Sequence, residues 1–324
     1  MNFAVVASLT SFTLGCDIQP NSVDTKTSSM NFTSSAMGFA PNNALLLAQA
    51  SQAAYLDQAA AQARALQLGF TSFQWIDLTE TFDDLFGFAA STDAFVVLAF
   101  RGTHDTKDWM DDLQATPVRF SWLFEGAPEI GDVHAGFGHA LRDAWDRINA
   151  ALDTVAPKPA KDMPLDALAA MQHRSFWITG HSLGGALAAL AGSAFSMLPG
   201  TLRPVSGIYT FGQPRIGLHT FCGNYDHVLQ KKLFRFVNNQ DLVPRVPFQG
   251  WDYGDTGQMI HFDANGAPLL QSIQWSNLLS RTIESFEDFF SIASNVRTDV
   301  GDHSMDGYAA LVQSKSAALA ALFS

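Results

Sequence analysis

Between Phe176 and Leu190 the chain reads FWITGHSLGGALAAL, and no other stretch restricts the fold as strongly. A short apolar run meets a cluster of glycines around one hydroxyl, and good helix formers follow at once. In a sharp strand-to-helix turn the apex residue takes unusual backbone angles, and glycines two before and two after it relieve the crowding. Small residues at Gly185, Ala186 and Ala189 let the helix lie close to the sheet. The junction is one of two things: a display stand for Ser182, or an ordinary α/β corner.

The surrounding pattern is α/β. AFVVLAFRGT (94–103) is a continuous apolar, β-branched run that stops at Arg-Gly, as a strand buried on both faces should. FQWIDL, SFWIT, GIYTFG and KLFRFV read as further strands, and QMIHF as a neighbour of theirs. Between and around them, residues 42–69, 133–156, 184–198, 305–313 and the tail 272–293 carry helical patterns. Strands alternating with helices imply a mostly parallel sheet covered on both faces.

With 324 residues, 47% of them hydrophobic, the chain can bury a large core. No linker divides it after residue 42, so one domain is expected over 42–324. Residues 1–41 form an apolar leader that runs into a Ser/Thr/Asn-rich linker. The leader has the h-region of a signal peptide, and Leu14-Gly15-Cys16 suggests a lipoprotein cleavage site, which points to secretion or the cell envelope. The absence of Lys or Arg before Lys26 leaves the cytoplasm as the alternative. A net charge of −12 argues against a nucleic-acid partner and weakly against docking on anionic lipid. Two cysteines, Cys16 and Cys222, make neither a disulfide framework nor a metal cluster, and no HExxH is present, so no metal or cofactor is expected.

The chemistry is that of nucleophilic catalysis. Ser182 sits at the apex of the turn, and the following helix aims free N–H groups and its positive end at the same spot. A serine nucleophile needs a base, and the chain order Ser, then Asp or Glu, then His leaves His219, His227, His261 and His303. His219 and His227 lie in a surface helix, and His261 lies in a strand. His303 lies in GDHSMDGY, a turn before a helix, where an imidazole can reach over the sheet's C-terminal edge. The acid must follow a strand. Asp241 in LFRFVNNQDLVPRVP does so, with Asp252, Asp255 and Asp302 as rivals. An oxyanion site would combine the Leu183 backbone N–H with Thr103, at the end of the LAFRGT strand.

Together these pieces resemble the class 3 lipase family. VVLAFRGT, VHAGF, ITGHSLGGALAAL, YTFGQPRIG, NNQDLVPRVP and DHSMDGY stand in family order over residues 96–308, and LLLAQASQAAY also fits. The resemblance implies an α/β-hydrolase fold with a mostly parallel central sheet, helices on both faces and a lid segment. It implies Ser182 as nucleophile, Asp241 as acid and His303 as base, with Thr103 and Leu183 as oxyanion donors. His134 and Gly136 match a landmark of mainly structural role. The lid would be HDTKDWMDDLQA (104–115), with Trp109, Met110 and Leu113 as its apolar face, touching lipid transiently.

The implied substrate is an acylglycerol or another ester lipid. Rival readings are a short-chain or aromatic-acyl esterase, a phospholipase A1, and a non-catalytic lipase-like binding module. The chain departs from the family in its acidic lid segment, its lack of several disulfides, and inserts near 155–174 and 263–300.

Overall fold

The computed structural model describes residues 31–77, 86–103, 116–157, 174–201, 203–271 and 299–324. In chain order its elements begin with α1 (Pro41–Ala53), α2 (Gln58–Gln67), β1 (Ser72–Asp77), β2 (Phe86–Ser91) and β3 (Phe95–Phe100). Next come β4 (Val118–Arg119), α3 (Phe120–Leu123), β5 (Asp132–Val133) and α4 (Ala135–Val155). β6 (Ser175–His181), α5 (Leu183–Met197), β7 (Val205–Phe211), α6 (His219–Leu229) and β8 (Leu233–Asn238) follow. The chain ends with β9 (Gln258–Phe262), β10 (Pro268–Gln271), α7 (Asp299–Asp302), α8 (Met305–Ser314) and α9 (Ser316–Ala321).

Eight strands form one sheet in the order β1-β2-β3-β6-β7-β8-β9-β10. The central five, β3 to β9, are parallel. β1 and β2 on one side and β10 on the other run antiparallel to their neighbours. This is the α/β-hydrolase architecture, with helices on both faces of a mostly parallel sheet.

Side-chain alternation along β3 explains its unbroken apolar run. Val96, Leu98 and Phe100 face one layer, with α4 and α5, while Phe95, Val97 and Ala99 face the other, with α1 and α8. All six are buried, so every position needs an apolar side chain.

Two sequence expectations change. The helical run 42–69 is broken at Ala54–Asp57, where the Asp57 carboxylate caps α2 by accepting from the Ala60 N–H at 2.9 Å. Residues 31–40, read as linker from their polar composition, lie against the core. Phe32 stacks on Phe95 at 4.0 Å, and Phe39 stacks on Phe323 at 4.3 Å and meets Phe234 edge-on at 5.3 Å. Asn43 holds both the N–H and the C=O of Thr33. A few aromatics outweigh the polar average of the segment.

If this segment is part of the folded unit, Phe39→Ala should lower the unfolding free energy by about 2–4 kcal/mol in urea titration. A change below about 0.5 kcal/mol would show that Phe39 contributes no core packing.

Candidate active site

At the end of β6 the strand runs into α5 through one residue. Ser182 has φ 57° and ψ −128°, outside the regions that side chains favour. Its N–H still donates to Phe211 in β7 at 2.9 Å, continuing the ladder, while its C=O already accepts from Gly185 and Ala186 as the first helical bonds. The crowding is severe. A Cβ on Gly180 would lie 2.2 Å from the Gly184 carbonyl oxygen, and one on Gly184 would lie 2.6 Å from that of Arg101. The parallel register pairs Phe100 with Gly180, so Arg101–Thr103 leave the sheet beside the serine turn.

Asp241 follows β8 in a tight turn in which its N–H donates to the Asn238 carbonyl at 2.8 Å. Its side chain is fully buried. Oδ1 accepts from the Val243 N–H at 3.0 Å, and Oδ2 accepts from the Tyr308 hydroxyl at 2.5 Å. His303 lies on the two-residue link between α7 and α8. Its Nδ1 is 2.8 Å from Asp241 Oδ2 and its Nε2 is 2.8 Å from Ser182 Oγ. With the carboxylate ionised, Nδ1 carries the proton and Nε2 accepts from the serine hydroxyl.

Burial alone would raise the Asp241 carboxyl. The His303 ring beside it and the bonds from His303, Tyr308 and Val243 outweigh that, and hold it below the usual range. The arrangement can draw the proton from Ser182 while keeping the resulting imidazolium paired.

The rival acids have other partners. Asp255 sits between Arg215 and Arg235, each at 3.2 Å; against burial, these cations hold it down to about 2. Asp302 Oδ2 accepts from Asn239 Nδ2 and the Gln240 N–H, and its carbonyl accepts from Asn238 Nδ2 at 2.9 Å. Asp252 is exposed in a turn with φ 67°. Of the other histidines, His219 and His227 lie on α6, and His261 Nε2 bonds the Asn239 carbonyl.

Leu183 is the buried first residue of α5, where backbone N–H groups lack helical acceptors. Thr103 is half-buried, two residues beyond Arg101, whose carbonyl abuts Gly184. His134 caps α4, its Nδ1 accepting from the Phe137 N–H at 3.4 Å, with its ring stacked on Phe137. Trp109, Met110 and Leu113 fall in 104–115, outside the described residues.

Sequence reasoning passed over Tyr308, although it stands inside the GDHSMDGY stretch, five residues after His303. Its hydroxyl accepts from the Asn238 N–H at 3.0 Å and donates to Asp241, tying the strand end to the acid.

The family model for lipase (class 3) matches residues 97–251. The triacylglycerol lipase OBL1 of Ricinus communis is 28% identical over 207 residues, covering 52% of this chain and 38% of its own length. Phospholipase A1-II 1 of Oryza sativa subsp. indica is 31% identical over 188 residues, covering 55% and 45%. The chain thus spans less than half the length of these curated relatives. Among solved structures, lipase II from Rhizopus niveus superposes with a TM-score of 0.58 at 23% identity, over 81% of this chain and 92% of its own. The Rhizomucor miehei lipase propeptide complex gives a TM-score of 0.54 at 20% identity, over 78% and 79%. At these identities the superpositions speak for the fold.

Tyr308→Phe removes one bond to the carboxylate and orphans the Asn238 N–H, so a loss of about 1–3 kcal/mol at neutral pH is expected. Because Asp241 is depressed in the folded state, its contribution is full above about pH 4 and is lost as pH falls through the folded value. The gap between wild type and variant in denaturant titrations should therefore narrow as pH falls through the depressed folded value of Asp241. A gap that stays constant down to the pH of acid unfolding would refute the charge-assisted bond.

Proposed function

We propose, from the match of residues 97–251 to the lipase (class 3) family model, that the chain hydrolyses carboxylic esters of acylglycerols through an acyl-enzyme on Ser182. One observation carries the reading. Ser182 Oγ, His303 and the buried Asp241 form a continuous hydrogen-bonded line, at 2.8 Å for each imidazole bond, with its serine end at a helix N-terminus.

In this mechanism His303 Nε2 takes the hydroxyl proton as Ser182 Oγ attacks the ester carbonyl. The oxyanion is met by the Leu183 N–H and by Thr103. The imidazolium, paired with Asp241, then gives its proton to the departing alcohol. A water deprotonated by the same imidazole releases the acid and restores the serine. Trp109, Met110 and Leu113 would form the apolar face of a covering segment that touches the lipid surface.

The substrate class rests on the family and on relatives named triacylglycerol lipase. Relatives named phospholipase A1 support a second reading, hydrolysis of a phospholipid acyl ester, by the same chemistry. The assembled line of side chains weighs against a non-catalytic binding module.

Initial rates on an emulsified long-chain triglyceride, a soluble short-chain ester and a phospholipid vesicle decide among these readings. The triglyceride is expected to turn over, and Ser182→Ala to cost about 10⁴-fold or more. Turnover of the soluble ester alone would replace the lipase reading with an esterase. Wild type no faster than Ser182→Ala on all three would end the ester-hydrolase reading.

A further inference from the structure

Two side chains next to the site take no part in the steps above: the half-buried Tyr55 and the buried His181. Tyr55 lies in the break between α1 and α2, well before the residues the family model covers. Its hydroxyl is 2.6 Å from His181 Nδ1 and is also hydrogen-bonded by the backbone of Gly102. His181 Nε2 is 2.7 Å from the backbone carbonyl oxygen of His303. A carbonyl can only accept, so Nε2 carries the ring proton, Nδ1 is the acceptor, and the Tyr55 hydroxyl donates to it.

The anchors of this chain are specific. Gly102 directly precedes Thr103, His181 directly precedes Ser182, and His303 carries the base. One hydroxyl and one imidazole therefore touch the segments that hold the oxyanion donor, the nucleophile and the proton acceptor. The His181 and His303 rings lie 4.6 Å apart, and the Tyr308 ring is 5.9 Å from His181. The Arg101 guanidinium lies 5.9 Å from the centre of the Tyr55 ring. Burial, then the neighbouring His303, press His181 down to about 3, against a smaller opposing pull from Asp241 and the carbonyl bond. A neutral ring in one tautomer is what a fixed strut requires.

Building on the proposed ester hydrolysis, we propose that Tyr55 and His181 are positioning residues that hold the His303 backbone, and with it the imidazole, in register with Ser182 and the Thr103 turn. They move no proton in the reaction. Their loss would let the His303 link between α7 and α8 drift, which weakens proton transfer more than substrate binding.

The test uses the full chain with Tyr55→Phe, His181→Leu, His181→Gln and the double variant Tyr55→Phe/His181→Leu. Tyr55→Phe and His181→Leu should each lower kcat by about tenfold or more while KM stays within about twofold. The double variant should be no worse than His181→Leu, since the two act as one unit. His181→Gln, which keeps an N–H donor, should recover part of the rate. Unchanged kcat, or additive losses, would overturn the proposal.

Imidazole 15N NMR of wild type and Tyr55→Phe needs no turnover and covers the case in which His181→Leu does not fold. His181 should remain an uncharged Nε2–H tautomer at pH 5, and the His303 ring resonances should shift in the variant. A His181 that titrates near about 6.5, or a His303 that does not respond, would overturn the strut. If wild type proves no faster than Ser182→Ala on any ester, the ester reading falls, and the NMR result still decides the strut on its own.

Discussion

Everything at this site depends on the crossing of two backbones, where the turn from β6 into α5 passes the end of β3. With Gly184 pressed against the Arg101 carbonyl and Gly180 against Gly184, neither glycine position has room for a Cβ. The residue between them is forced to φ 57°, a strain of about 1–3 kcal/mol. Sheet pairing on both sides holds it there, through β3 and through the Ser182 bond to Phe211. The compensation is geometric. The serine side chain stands clear of both elements, and the first N–H groups of α5 open on the same space.

The partners of Ser182 come from a separate piece of architecture that must meet it to within tenths of an ångström. Asp241 and His303 are 62 residues apart in sequence, yet the turn after β8 and the link after α7 are stitched together three times through Asp302 alone. Behind that turn, Arg215 donates to the carbonyls of Arg245 and Pro247, and Asp255 holds Arg215 and Arg235 together. Removing the one carboxylate from such a buried group leaves charges uncompensated, so this support is rigid but intolerant of substitution. The acid thus stands on a loop whose backbone carbonyls are already committed.

What could be read from the sequence was what local chemistry enforces. β3, β6, β7 and β8 announce themselves because each is buried on both faces and therefore mostly apolar, β3 without a break. The glycine spacing around Ser182 follows from the backbone crossing. Position favoured His303 among four candidate histidines, whereas Asp241 stood among four candidate acids until the family resemblance chose it. Elements and partners defined by distant contacts were not legible. β2, FGFAAS, carries a glycine and small residues with weak strand preference, and owes its place to pairing between β1 and β3. Residues 31–40 look like linker because Phe32 and Phe39 are diluted among polar neighbours. Tyr55, His181 and Tyr308 follow no local pattern, since each finds its partner across more than 60 residues.

The last problem the fold solves is one of selection. Two imidazoles lie 4.6 Å apart, and hydrolysis needs one of them to become charged while the other does not. If both were charged, their repulsion at an effective dielectric near 20 would be about 3–4 kcal/mol. The difference lies in what each ring faces. His303 has the Asp241 carboxylate on Nδ1, a counter-charge in direct contact with the ring that takes the serine proton. His181 has a hydroxyl donor on Nδ1 and a neutral carbonyl on Nε2, so protonating it would displace the Tyr55 bond and add an uncompensated charge beside His303. Only one of the two rings is offered a counter-charge. The same pair of hydrogen bonds that fixes the orientation of His181 thereby reserves the proton for His303.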